Sequence, residues 1–115
     1  MAYKDPEKQK AYQARWYQEQ RDKVRRSVRD RRRNTRKWVE QYKTDHPTCN
    51  MCGLDYPPHI LDFDHLPEYK KFRDIGKMAK DGFAIEKIEK EIEKCQLLCA
   101  NCHRHITWER SVKVT

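Results

Sequence analysis

A chain of 115 residues holds one domain at most, with room for a tail. Hydrophobic residues make up 37% of it and charged residues 38%, so the apolar core is small and needs a metal, a disulfide or a partner. No run of about 18 apolar residues exists, which excludes a membrane span.

The net charge of +8 is unevenly placed. Residues 1–43 carry 15 Lys/Arg and 6 Asp/Glu, a balance of +9, and the remainder is near neutral at −1. A concentrated basic segment beside a near-neutral domain points to a polyanion, and nucleic acid is the expected one. A membrane surface is disfavoured, because the segment has no continuous Leu/Ile/Phe face to insert. The N-terminus is charged from Lys4 onward and lacks an apolar signal core, so a reducing cytoplasm is the expected compartment.

Residues 7–43 contain neither Gly nor Pro and are rich in helix-forming Glu, Gln, Lys, Arg and Ala. Asp5-Pro6 supplies a cap and a first-turn proline. Tyr12 and Trp16, Val24 and Val28, and Trp38 and Tyr42 are each one turn apart. The pattern predicts one long helix, or two with a break near Asn34-Thr35. Arg25, Arg26, Arg29, Arg32, Arg33, Arg36 and Lys37 fall in its densest basic stretch and are candidate phosphate contacts. On a helix this stretch occupies several faces, so only part of it meets one duplex. Trp16, Tyr17 and Trp38 either stack on bases or pack against the domain.

Past His46-Pro47 comes Cys49-x-x-Cys52, followed by Gly53, a residue suited to the positive φ of a tight turn. In Ile60–His65, Leu61 and Phe63 alternate with Asp62 and Asp64, which predicts a short strand ended by Pro67. Lys71-Phe72-x-x-Ile75 predicts a second strand, with Gly76 as a break, and Asp81-Gly82 a turn. Phe83, Ile85, Ile88 and Ile92 have helical spacing through about residue 94, with Glu and Lys on the opposite face. Cys95 sits in an apolar run and reads as a small core residue, with a ligand role as the alternative. Cys99-x-x-Cys102 leads into a short final helix with frayed last residues.

Two C-x-x-C pairs separated by 46 residues suit a tetrahedral zinc. Four thiolates at Cys49, Cys52, Cys99 and Cys102 leave no open position, so the expected role is structural. Asp64, His65 and His103 are left over. Asp64 and His65 are neighbours on a strand and point to opposite sides, so one can face a cation and the other a water. His103 directly follows a zinc ligand. A carboxylate and an imidazole form an open set for a divalent ion, with water and a phosphate oxygen completing it.

Cys-x-x-Cys, then Leu61-Asp62-Phe63-Asp64-His65-x-Pro67, then Lys71-Phe72-x-x-Ile75, then Cys95–His103 resembles an HNH endonuclease of the ββα-metal, or His-Me finger, type. The resemblance covers about residues 49–108. The arm, opening Lys4-Asp5-Pro6-Glu7-Lys8, is similar to those of small phage-type nucleases. The resemblance implies an α+β fold: a small zinc-stabilised, treble-clef-like ββα-metal domain over residues 46–115, preceded by a basic helical DNA-binding arm over 1–45. It implies His65 as general base, and Asp64 and His103 as ligands of a catalytic Mg²⁺ or Mn²⁺. The family's middle Asn is missing from Glu93–Gln96; Asn101 or Gln96 would stand in for it.

The implied function is hydrolysis of DNA phosphodiester bonds, by nicking or by double-strand cleavage, leaving a 5′ phosphate and a 3′ hydroxyl. A structure-selective recombination endonuclease is a variant of this, with monomer and homodimer both open. A zinc-stabilised DNA-binding module without catalysis is the reading from a different class. Lys71 and Arg104 are further candidate phosphate contacts. Asp62, His46, His59 and His105 read as solvated.

Overall fold

A computed structural model describes residues 5–113. The chain divides between Arg31 and Arg32 into two compact units. Helix α1 runs Pro6–Asp45 without a break. Its first turn is closed by Asp5, whose Oδ1 accepts the Glu7 N–H at 3.0 Å. Of the described residues of the first unit, 5–31, none is buried.

The second unit takes in the C-terminal part of α1. Thr35 and Val39 are buried there, and Trp38 and Tyr42 pack against the core. This packing keeps the helix unbroken at Asn34-Thr35, overriding the modest helix preference of those two residues. Residues 32–45 therefore belong structurally with the folded domain.

After α1, Thr48 and Asp55 bridge across a tight loop that carries Cys49 and Cys52. Gly53 closes it at φ 75°, with its N–H donating to the Cys49 carbonyl. A 3₁₀ turn, Pro58–Ile60, leads into strand β1, Leu61–His65. β1 pairs antiparallel with β2, Cys95–Cys99, in the register Leu61↔Cys99, Asp64↔Gln96 and His65↔Cys95. The second strand thus lies at Cys95–Cys99 and not at Lys71–Ile75.

Lys71–Asp74 have no regular structure, and Ile75 instead begins helix α2, Ile75–Asp81. The reason is the spacing of Ile75, Met78 and Ala79, which places three buried residues on one helical face. Gly76, expected as a break, is helical. The real stop is Gly82, at φ 73°, where the Phe83 N–H bonds back to the Met78 carbonyl. Helix α3, Ile85–Ile92, follows, and α4, Ala100–Lys113, runs directly on from β2.

The fold class is α+β: four α-helices and one two-stranded sheet among the described residues. Two apolar clusters support it. One joins Val39, Ile75, Met78, Ala79, Ile88 and Ile92, with Phe63 and Cys95 against it. The other joins Cys49, Leu98 and Cys99, with Tyr56, Ile60, Cys102 and Ile106 around them. The second is centred on cysteines, so part of this small core is built from thiols. No helix among the described residues is long and apolar enough to cross a membrane.

Candidate functional site

The sheet brings the two C-x-x-C pairs together. The ladder places Cys99 at the end of β2, and the Asn50 N–H donates to the Leu97 carbonyl at 2.8 Å, docking the first loop on that strand. The sulfurs of Cys49, Cys52, Cys99 and Cys102 all lie within 4.8 Å of one another. Four convergent sulfurs of this kind are able to hold a metal ion. Burial pushes the Cys49 thiol up, but backbone N–H groups of Cys52, Cys99 and Met51 aimed at the sulfur outweigh it and bring the thiol down to about 6. The Cys102 N–H contributes in the same way to Cys99, whose thiol is also lowered. Cys95 stands apart from the cluster. Burial pushes its thiol up to about 12, as befits a core residue.

A polar chain connects the cysteine loop to Asp64. Asn50 Nδ2 donates to Gln96 Oε1 at 2.7 Å, and Gln96 Nε2 donates to Asp64 Oδ2 at 2.9 Å. Gln96 stands opposite Asp64 in the ladder, so strand pairing itself sets this contact. Asn101 lies exposed in the first turn of α4, and it is Gln96 that braces Asp64.

Asp64 is 4% exposed. A carboxylate that deep needs compensation. Arg110, in the last turn of α4, supplies it with a two-pronged contact, Nη1 to Oδ1 at 2.8 Å and Nη2 to Oδ2 at 3.0 Å. Burial pushes the Asp64 carboxyl up, and hydrogen bonds from Arg110 and Gln96 more than reverse that, leaving it below the usual carboxylate range. Arg110 carried no mark in the sequence, because one arginine in a basic chain is not distinctive.

His103 stands between two carboxylates. Its Nδ1 is 3.0 Å from Asp62 Oδ2, and its Nε2 is 3.7 Å from Asp64 Oδ1. A carboxylate only accepts, so Nδ1 carries the proton. In the neutral ring, Nε2 then presents a lone pair toward Asp64 Oδ1 across a gap too long for a hydrogen bond. Two electron-pair donors facing each other, with the far side of the imidazole held by a carboxylate, form an arrangement suited to a cation. Asp62, expected to be solvated, is half-exposed and holds His103.

His65 belongs to the other side of β1. Its Nε2 is 2.8 Å from Glu91 Oε2. Glu91, only 3% exposed, also accepts the Phe72 N–H at 3.0 Å and Lys94 Nζ at 2.9 Å. Burial pushes its carboxyl up, but the bonds from Lys94, Phe72 and His65 hold it at about 2. Because Glu91 accepts from Nε2, the neutral imidazole keeps Nδ1 as its free proton acceptor. Helical spacing predicts Glu91 on the solvent face, opposite Ile85, Ile88 and Ile92. The structure turns it inward, where the loop after β1 covers it.

The remaining candidates lie on the surface. Arg25, Arg26 and Arg29 are exposed on α1 in the first unit. Arg32, Arg33, Arg36 and Lys37 are exposed on α1 in the second. Arg32 and Arg36 are one turn apart, as are Arg33 and Lys37, so the second unit presents two adjacent basic lines. Lys71 pairs with Asp74, His105 with Glu109, and His46 Nδ1 with the Tyr42 carbonyl. Trp16 and Tyr17 meet edge to face at 5.2 Å and are exposed. Trp38 packs on the core.

Searches of family models, characterised proteins and solved structures found no match to this chain.

Proposed function

We propose that this chain is a metal-dependent DNA endonuclease of the HNH, ββα-metal type. The observation that carries the reading is His103, fixed by Asp62 on one nitrogen and facing Asp64 Oδ1 at 3.7 Å with the other. β1, β2 and α4 are the strand pair and helix of a treble-clef-like ββα element in this reading. Cys49, Cys52, Cys99 and Cys102 hold a structural Zn²⁺, and four sulfurs within 4.8 Å of one another suit it. Asp64 and His103 hold the catalytic Mg²⁺ or Mn²⁺. When bound, that ion supplies charge neutralisation at the scissile phosphate and the leaving 3′ oxygen.

The protein's own groups do the rest. Glu91 fixes the tautomer of His65, leaving Nδ1 to take a proton from the attacking water. Gln96 holds Asp64 across the strand pair. The exposed arginines of α1 bind the phosphate backbone without regard to sequence. The products are a 5′ phosphate and a 3′ hydroxyl, and a thiol-rich metal site suits a reducing cytoplasm.

A second reading has its own support. Arg110 already neutralises Asp64, as a purely structural ion pair would, and a zinc-stabilised DNA-binding module without catalysis would look the same. Relaxation of supercoiled plasmid separates the two. The endonuclease nicks or linearises plasmid with Mg²⁺ and is silenced by chelator. His65→Ala abolishes cleavage, a loss of about 10²–10⁴-fold, while DNA affinity and zinc content stay unchanged. Undiminished cutting by His65→Ala removes the assigned base, and an inert wild-type protein favours the binding module.

A further inference from the structure

Arg110 poses a question that the endonuclease reading leaves open. Its guanidinium spans both oxygens of Asp64, the carboxylate assigned to the cation. Asp64 Oδ1 also faces His103 Nε2, so Arg110 bonds to the same oxygen that completes the candidate cation pair. A monovalent guanidinium and a divalent ion cannot both neutralise one buried carboxylate at close range without repelling each other.

The two bonds to Asp64 differ in how readily they are given up. Gln96 is held from behind by Asn50 and from its backbone by the ladder. Arg110 has a 37% exposed side chain, and among the described residues its further hydrogen bond is a long 3.5 Å approach to the His65 carbonyl. It sits in the final turn of α4, on a flexible stem next to solvent. A guanidinium fork matches phosphate as well as it matches carboxylate.

We propose that Arg110 is the substrate-phosphate ligand of this site, held in reserve on Asp64 and released to the phosphodiester when a divalent cation takes its place. The inference rests on the reading of Asp64 and His103 as cation ligands. Arg110 keeps the buried carboxylate compensated before the ion arrives, then turns its fork to an anion a short swing away. Cation binding and phosphate binding are thereby coupled through one side chain.

The test reads binding and not turnover. Mn²⁺ affinity is measured by electron paramagnetic resonance for wild type and Arg110→Gln. Affinity for a mixed-sequence duplex oligonucleotide is measured across a salt series with Ca²⁺ present. Arg110→Gln is expected to bind Mn²⁺ about tenfold more tightly than wild type, one competitor having been removed. Its DNA affinity is expected to fall, with the salt slope reduced by about 1. Arg110→Lys, which keeps the charge without the fork, should retain the slope while losing affinity, and it carries the test if Arg110→Gln loses its zinc and fold.

Unchanged or weaker Mn²⁺ binding by Arg110→Gln overturns the proposal, as does an unchanged salt slope. If both shifts occur but the wild type never cuts plasmid, the exchange stands and the endonuclease reading falls. If the wild type cuts plasmid and neither shift occurs, the exchange falls alone.

Discussion

Glu91 Oε2 lies 2.8 Å from His65 Nε2, joining a buried carboxylate on α3 to the last residue of β1. That one carboxyl group also holds the Phe72 N–H and the Lys94 ammonium, so it ties the loop after β1 to the imidazole. The ring is thereby fixed in tautomer and in orientation.

Glu91 is accordingly a positioning residue for the proposed base. Glu91→Gln is expected to lower kcat for plasmid cleavage by about 10²-fold with little change in KM, because the amide can hold the ring in either tautomer. Mn²⁺ affinity should not move, since Asp64 and His103 are untouched. Equal losses in kcat and in Mn²⁺ binding would show that Glu91 acts only by holding the fold.

Acid should weaken the domain through the same residue. The Glu91 carboxyl is held at about 2 against an ordinary 4.5, so its contribution is complete above about 4.5 and is lost as pH falls toward 2. At 3% exposure the full contribution is roughly 3 kcal/mol. Urea midpoints measured between neutral pH and pH 2 should decline across that window. The decline should be smaller in Glu91→Gln, which has no carboxyl to protonate. Parallel curves for the two proteins would assign acid sensitivity elsewhere, with Asp64 and Asp74, both lowered, as the next candidates.

If Cys49, Cys52, Cys99 and Cys102 hold a structural metal, removing it should unfold the second unit. Cys49 and Cys99 are buried at the centre of one of its apolar clusters, so a metal held there would contribute folding energy, on the order of 10 kcal/mol in comparable small sites. Cys99→Ala is expected to abolish the cooperative thermal transition seen by circular dichroism and to lose stoichiometric zinc. Cys95→Ala should keep its zinc and lose only part of the stability. A cooperative transition in zinc-free Cys99→Ala would be incompatible with this role.

DNA affinity should depend steeply on salt if α1 binds the backbone. Each phosphate contact removed lowers the slope of log affinity against log salt by about 0.9. Arg32→Ala and Arg36→Ala, on one line of the helix, should each act this way without disturbing the fold, as both are exposed. An affinity flat from low to high salt would leave these residues as solvated charges.

Much of this molecule is legible in one dimension. Two C-x-x-C pairs announce their joint site because the spacing inside each pair is a property of a tight turn, and only the meeting of the pairs requires the fold. α1 can be read from uninterrupted helix formers, and β1 from the alternation of Leu61 and Phe63 with Asp62 and Asp64. Phe72 and Ile75 look like a strand, whereas β2 is Cys95–Cys99, a short apolar run whose pairing with β1 only the ladder supplies.

Local pattern therefore determined the elements rich in periodic signal and the residue types able to carry chemistry. Tertiary structure alone decided their partners. Asp62 holds His103, Gln96 and Arg110 hold Asp64, and Glu91 holds His65, each across at least 26 residues of chain. Such contacts leave no trace in local periodicity. A carboxylate turned inward at one helical position and one turned outward at the next have the same composition, and only the surface that closes over them tells the two apart.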